Sequence, residues 1–494
     1  MAGPGSTFRS SQTETVILKT YLFAANAGRA NVVCGSGASL ACGLLLAALL
    51  SPGCARHPES ADDLQPITEA DAVLQRMIET YRHASTYADQ GVVRLRYRTE
   101  GQWIEDQARL AVRLERPHRL IVRAYQLTIV CDGESWYTHI HDPETGDLDG
   151  QILVRPAPEQ LCLEEVYDDP ISKNVIAGGM GGPPLTLELL LGEHALEHLF
   201  QDSVRRELLT DQRIASQSCR RVRVTSEEGT LVFWIDGQTH LLRRLEYPTD
   251  LLARQLDPEG LIEDLALVAD FRQASVNVDL ARDDFSIPIP PDAKIVSRFV
   301  LPPRPLPSDL LGQEPKPFRF VDLDFQPWTQ SCLRGKTCVL AWFNIHPASE
   351  LCLRQLSNIQ REMVSDPSIV FLAVCTEPTS VGNRQLDRLR KDWDLPMPVV
   401  RDFEAYGRDV FQIPGAPTVV VLDAEGVVQA FEVGANPTLV DRLPETIQQI
   451  LSGQSPASSL VTRFQEQQHE YHQALLQVMQ PPRLREAVRS SDLR

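Results

Sequence analysis

Hydrophobic positions along the chain change period several times, and each period predicts a different element. From Thr68 the apolar residues Ala70, Leu74, Met77, Ile78 and Tyr81 recur at helical spacing, and Asp71, three residues after Thr68, completes a capping box. Strands follow. Val92–Tyr97, Ala108–Leu114, Leu120–Tyr125 and Thr128–Cys131 mostly alternate apolar with polar, and Asp132-Gly133 turns the chain into Ser135-Trp136-Tyr137. Val222–Val224 and Leu231–Ile235 repeat the device, with a turn at Asp236-Gly237 before Leu241–Tyr247 and Leu265–Phe271. Parallel-crossover signals are missing, so these runs predict an antiparallel, strongly curved sheet with one apolar face. Between the two sets, Leu185–Phe200 predicts a helix, entered through a glycine hinge at Gly178–Pro184.

The second half is patterned differently. Prolines 288, 290, 291, 302, 303, 305 and 307 make residues 287–314 an extended, semi-rigid spacer between domains. Beyond it, Cys338–Phe343 predicts a buried strand, Cys352, Leu356, Ile359 and Met363 a helix, and Ile369–Val374 a second strand. Gly415-Ala416-Pro417-Thr418 then leads into Val419–Leu422 and a turn at Asp423 and Gly426. Pro417 ends a loop and starts a strand, which makes it a candidate for a cis bond. In residues 453–494, Leu460, Phe464, Tyr471, Leu475 and Val478 predict a terminal helix that docks on the preceding domain or makes a short coiled-coil contact.

Strand, helix, strand, helix and proline-led hairpin resemble the thioredoxin fold. With Phe320-Val321-Asp322-Leu323-Asp324 near the start, residues 315–452 resemble its TlpA/ResA-like, redoxin branch. Residues 66–286, with one helix, a meander, an inserted helical segment, a second meander and the phrase Cys131-Asp132-Gly133-Glu134-Ser135, resemble the LolA/LolB-like lipoprotein-carrier superfamily. That resemblance implies an open β half-barrel covered by helices that holds acyl chains. The expected fold class is therefore multi-domain, α+β and α/β: an antiparallel curved β half-barrel with helices, then a thioredoxin-like α/β domain.

At 494 residues with 43% hydrophobic composition, the chain has room for two or three ordinary globular domains. An excess of 66 acidic over 48 basic residues, a net charge of −18, repels phosphate backbones and excludes nucleic acid as an expected partner. Residues 1–54 read as a targeting segment. Lys19 and Arg29 precede the apolar run Leu40–Leu50, and Leu50-Ser51-Pro52-Gly53-Cys54 resembles a bacterial lipoprotein signal. The resemblance implies cleavage before Cys54, lipidation of its thiol, and a polar tether over 55–65; an uncleaved signal anchor is the alternative. Both place the chain in the cell envelope, exported and membrane-anchored on the periplasmic side.

Beyond Cys54 the chain has seven cysteines, an odd number, and no CxxC or zinc-like spacing. A working thioredoxin carries CxxC where the first strand meets the next helix, because the helix N-terminus lowers the first thiol's pKa. Here the segment is Trp342-Phe343-Asn344-Ile345-His346-Pro347-Ala348-Ser349-Glu350-Leu351-Cys352. Counted without a gap, the two cysteines fall on Pro347 and Glu350. Counted by the helix's apolar residues Leu356 and Ile359, they fall on Ser349, expected as an N-cap, and Cys352. Neither count leaves a dithiol. Cys338 and Cys375, on neighbouring strands, read as buried free thiols, and Cys332 and Cys338 are near enough in sequence to close a small loop. His194-Ala195-Leu196-Glu197-His198 matches H-x-x-E-H on the predicted helix, yet reads as a helix surface rather than a zinc protease. His139-Ile140-His141-Asp142 reads as a strand end meeting a turn. Neither a cofactor nor a metal is expected.

These observations predict a binding protein. The apolar face of the first domain is expected to hold a lipid, acyl chain or lipoprotein segment, while the second contacts a protein partner through the loops around His346 and Pro417. The alternative is a thiol-disulfide or peroxide oxidoreductase that uses Cys352, with Ser349 and His346 beside it.

Overall fold

The computed structural model describes residues 68–99, 101–142, 146–256, 262–363 and 366–479. The targeting segment, the Cys54 lipidation site and the tether lie outside the described residues. Two compact units divide the chain, the first running to Val300 and taking in the residues from Leu475, the second spanning Leu301–Ala474.

In the first unit, Thr68 caps helix α1 (Glu69–Arg82): its hydroxyl accepts from Asp71 N at 3.1 Å while Asp71 Oδ2 accepts from Thr68 N at 3.0 Å. Leu74, Met77 and Tyr81 of its inner face are fully buried. The strands β1 (Thr86–Ala88), β2 (Gly91–Thr99), β3 (Gln102–Glu115), β4 (Arg119–Ala124), β5 (Leu127–Cys131), β6 (Ser135–Ile140) and β7 (Gln151–Pro156) are followed by helix α2 (Leu185–Leu191). Next come β8 (Arg205–Ile214), β9 (Gln217–Ser226), β10 (Gly229–Asp236), β11 (Leu242–Glu246), helix α3 (Asp250–Leu256), β12 (Glu263–Asp270), β13 (Ser275–Val276) and β14 (Lys294–Val296). All belong to one sheet in the order β14-β7-β6-β5-β4-β3-β2-β12-β11-β10-β9-β8, with β1 and β13 off this path. Among the described residues the path is open at both ends, and it is antiparallel except that β14 runs parallel to β7, Ile295 opposite Ile152.

Three sequence expectations change here. The proline-rich stretch is no free spacer at its start, because Ile287, Ala293 and Ile295 pack with Tyr137, Ile152 and Val154 in the first unit's core. The glycine segment is not a hinge but a seat. The Tyr125 hydroxyl donates to Gly182 O at 2.6 Å and accepts from Gly181 N at 3.1 Å, and a Cβ on Gly179 would stand 1.9 Å from the Tyr125 ring. The predicted helix 185–200 stops at Leu191, since Gly192 ends it in extended conformation and Leu196 is left-handed before a 3₁₀ turn at Glu197–Phe200. A tight turn over Gly146–Gly150 is left-handed throughout, with Asp147, Leu148 and Asp149 at φ of 53°, 53° and 61°. For L-residues that conformation costs about 1–2 kcal/mol each.

The second unit contains β15 (Arg319–Asp322), β16 (Pro327–Thr329), β17 (Thr337–Phe343), helix α4 (Pro347–Met363), β18 (Ile369–Cys375), helix α5 (Asn383–Asp392), β19 (Val399–Arg401), β20 (Thr418–Leu422), β21 (Val428–Val433) and helix α6 (Leu439–Leu451). Its sheet order is β16-β15-β19-β18-β17-β20-β21. Strands β17, β18 and β19 are parallel, and β20 runs antiparallel to β17 with Trp342 opposite Thr418. All seven residues of β17 are buried, because layers cover both faces. Val339, Ala341 and Phe343 meet Leu353, Leu356 and Ile447, while Cys338, Leu340 and Trp342 meet Phe320, Phe411 and Val420. Leu311, from the far end of the proline-rich stretch, and Phe318 just beyond it join this second layer.

Helix α7 (Pro456–Val478) starts with Ala457 in that same core. Its end, from Leu475, counts with the first unit, where Ser297 N donates to Val478 O at 2.9 Å and Met479 bridges Val296. Docking on the preceding domain thus describes the helix as far as Ala474 but not its end. Among the described residues no helix is long and apolar enough to cross a membrane.

Gly407 lies against the Trp342 indole, and a Cβ there would stand 2.5 Å from Trp342 Nε1 and 3.0 Å from Asp402 Oδ2. Because Trp342 is fully buried, the ring has no room to yield. Gly407→Ala is expected to destabilise the second unit by about 1–3 kcal/mol, the usual scale of overpacking, read as a lower denaturation midpoint at unchanged slope.

Candidate functional site

Among the described residues three places have the form of a site, two in the first unit and one in the second. In the first, strands β9–β12 form one wall of a cavity of about 250 Å³, and α2, the 3₁₀ turn and α3 form the other. Its lining is mainly apolar, with Leu185, Leu199, Leu231, Phe233, Leu245 and Leu267 among the residues facing it. This volume lies just below the usual range of small-molecule pockets, about 300–1,000 Å³. His198 also lines it, and burial holds that imidazole below its ordinary pKa, so its neutral form is favoured. Tyr247 lines it too, its phenol pushed well above the ordinary range by burial. The sequence pattern points to an apolar sheet face but not to this cavity, whose second wall depends on the helix breaking at Gly192.

That break also disposes of the H-x-x-E-H pattern. His194 and His198 do not share a helical face, and His194 instead sits 3.5 Å from Glu197. His139, His141 and Asp147 do come together, the one group of histidine, cysteine or acidic side chains among the described residues spaced to hold a metal ion. Sequence reasoning missed Asp147, since only the left-handed turn brings it back toward the strand end.

In the second unit, β17 ends at Phe343 and α4 begins at Pro347, a residue suited to a helix's first position. His346 performs the capping. Its Nδ1 accepts from Ala348 N at 3.1 Å, and its carbonyl accepts from Glu350 N at 3.0 Å. A pair spaced as in CxxC and starting at this helix N-terminus is therefore His346 and Ser349, a register matching neither count made from the sequence. Ser349 is not the N-cap expected of it. It lies inside the first turn, fully buried, with its hydroxyl donating to Asn344 Oδ1 at 2.8 Å and tying the strand-helix loop to the helix.

Cys352 stands nearly a full turn deeper, 1% exposed, in the core with Phe343, Leu353 and Leu356. Burial pushes its thiol up to about 12, so it stays protonated at neutral pH and away from the helix N-terminus that would activate it. Cys338 is likewise buried, its thiol also pushed up to about 12 by burial, and Cys375 lies opposite Phe343 with its pKa raised by the same cause. All seven described cysteines are free, Cys332 and Cys338 included. Pro417 follows a cis Ala416–Pro417 bond, and Thr418 Oγ1 donates to Gly415 O at 2.7 Å. Since Trp342 pairs with Thr418, this loop and the His346 loop share one end of the sheet.

A parallel β-α-β crossover and an antiparallel hairpin on the other side of its first strand decide the fold. The second unit is thioredoxin-like. No protein-family model matches the chain, and no curated protein matches it. Solved structures similar to it include a thiol:disulfide interchange protein of the thioredoxin family from Chlorobium tepidum, at 20% identity and a TM-score of 0.25, covering 29% of this chain and 99% of that one. A secreted disulfide oxidoreductase from Mycobacterium tuberculosis is similar at 19% identity and a TM-score of 0.22, covering 29% and 99%. StoA from Bacillus subtilis is similar at 16% identity and a TM-score of 0.24, covering 27% and 96%.

For the thioredoxin-like unit, burial makes a direct prediction about thiol reactivity. Exposed Cys332 is expected to alkylate readily in the native protein, whereas Cys352 and Cys338 react only once denaturant opens the core. Raising pH from about 7 to 9 leaves Cys352 slow, because burial disfavours its thiolate and pushes the thiol up to about 12. Mass mapping after timed alkylation checks this, and fast labelling of native Cys352 would contradict it.

Proposed function

We propose that this chain is an exported, membrane-anchored protein of a bacterial envelope that binds a hydrophobic ligand, a lipid or acyl chain, in the cavity of its first unit. One observation carries the reading: an apolar cavity of about 250 Å³ between the sheet and its covering helices. An acyl chain leaving water for that lining gains roughly 0.8 kcal/mol per buried CH₂. The LolA-like, half-barrel order of elements inferred from the sequence supports it, and lipidation at Cys54 would hold the cavity near its membrane source. The thioredoxin-like unit serves as a non-dithiol module that engages a protein partner through the loops around His346 and Pro417. Its helix N-terminus offers an imidazole cap and a buried hydroxyl where a redox pair would need two thiols. The alternative, thiol-disulfide or peroxide chemistry by Cys352, has the burial of that thiol against it.

The delipidated full chain is expected to bind a fluorescent fatty acid saturably at one site. Leu231→Trp, which fills the cavity from a partly exposed position, should weaken that binding at least about 10-fold with little change in stability. Absence of saturable binding, or equal binding by the variant, would remove this reading.

A further inference from the structure

We propose that His139, His141 and Asp147 of the first unit form a binding site for one divalent transition-metal ion of the zinc class. Alternate residues of an extended segment point the same way, so His139 in β6 and His141 just beyond it present their imidazoles side by side, ring centroids 4.0 Å apart. Asp147 completes the group. Its Oδ2 lies 3.8 Å from His139 Nε2 and 3.6 Å from His141 Nδ1, and the three donor atoms all fall within 4.8 Å of one another. Around a tetrahedral ion with bonds of about 2.0–2.1 Å, donor atoms stand about 3.3 Å apart. The two carboxylate-imidazole spacings therefore need to close by a few tenths of an ångström, and the two imidazole donors, within 4.8 Å of each other, by up to about 1.5 Å through rotation of the exposed His141 ring.

The surroundings hold the carboxylate for this task. Asp147 Oδ1 accepts from Asp142 N at 2.9 Å, which leaves Oδ2 as the oxygen turned to the imidazoles. Behind it, the left-handed turn is pinned by buried Gln151, whose Nε2 donates to Leu148 O at 2.7 Å, and by an ion pair of Lys294 with Asp149. A right-handed turn would not return Asp147 along this path, so strained backbone and donor set go together. His139 is 12% exposed, while His141 and Asp147 are 59% and 42% exposed. The group is thus anchored on one side and open on the other. Two imidazoles and one carboxylate with a solvent-facing position suit Zn²⁺ or Co²⁺ better than Ca²⁺ or Mg²⁺, which prefer all-oxygen shells.

The test uses the full chain, free of any affinity tag and stripped with chelator. Zn²⁺ is titrated by calorimetry and Co²⁺ by visible absorption. The expected result is one saturable equivalent, weakened more than about 100-fold by His141→Ala or by Asp147→Asn, beyond the 10–100-fold typical of outer-shell changes. Exposed His141 can be truncated without unfolding, and an asparagine keeps the Oδ1 acceptor that closes the turn; far-UV circular dichroism checks both. Cys332→Ser should retain the site. Lack of saturable Zn²⁺ binding, or unchanged affinity in both His141→Ala and Asp147→Asn, would overturn the proposal.

Discussion

Burial of β17 on both faces is the constraint on which the second unit depends. Seven consecutive residues leave water, with a gain of roughly 1.5–3 kcal/mol for each large apolar side chain, and they do so only if helices or loops cover the sheet above and below. That requirement draws α4 and α6 onto one face and the Phe318, Phe320 and Phe411 cluster onto the other. It also places the end of β17, and hence the start of α4, within one short loop of Phe343. The chemistry at that junction follows from which residues the loop leaves there. His346 caps the helix, Ser349 is consumed by Asn344, and Cys352 is carried a turn inward, where low dielectric keeps its thiol neutral.

The first unit satisfies a different demand. A sheet this long cannot bury one face against a single helix, so several short elements divide the work: α1 rests on β8 and β9, and the strip ending in β14 covers Ile121, Tyr137 and Ile152. Where α2, the 3₁₀ turn and α3 meet the sheet the fit is incomplete, and the apolar cavity is the space left over. The same break that opens this space separates His194 from His198. One backbone event at Gly192 thus bears on both the apolar cavity and the spacing of the two histidines.

Polar groups mark where the fold is held against its own preferences. Five successive left-handed residues at Gly146–Gly150 persist because Asp142, Gln151 and Lys294 each bind part of the turn. Tyr125 fastens the glycine segment by accepting from one amide and donating to one carbonyl. Both devices join residues distant in sequence or reverse the chain's natural hand, and neither leaves a period in the hydrophobic pattern.

Legibility from sequence follows the same division. The capping box at Thr68, the meander strands, the buried run Cys338–Phe343 and the missing CxxC are local, set by spacing and residue type within a few positions, and the sequence alone determined them. Strand β8 escaped because an edge strand that buries a single residue has no alternation to read. β14 escaped because proline density masked three residues that pair with β7. Only the tertiary structure decided where α4 begins, that Cys352 lies sealed on its inner face, that an apolar cavity stands between the sheet and its covering helices, and that Asp147 meets two histidines. Each depends on how distant segments pack, and packing across the chain is not written in any short window of it.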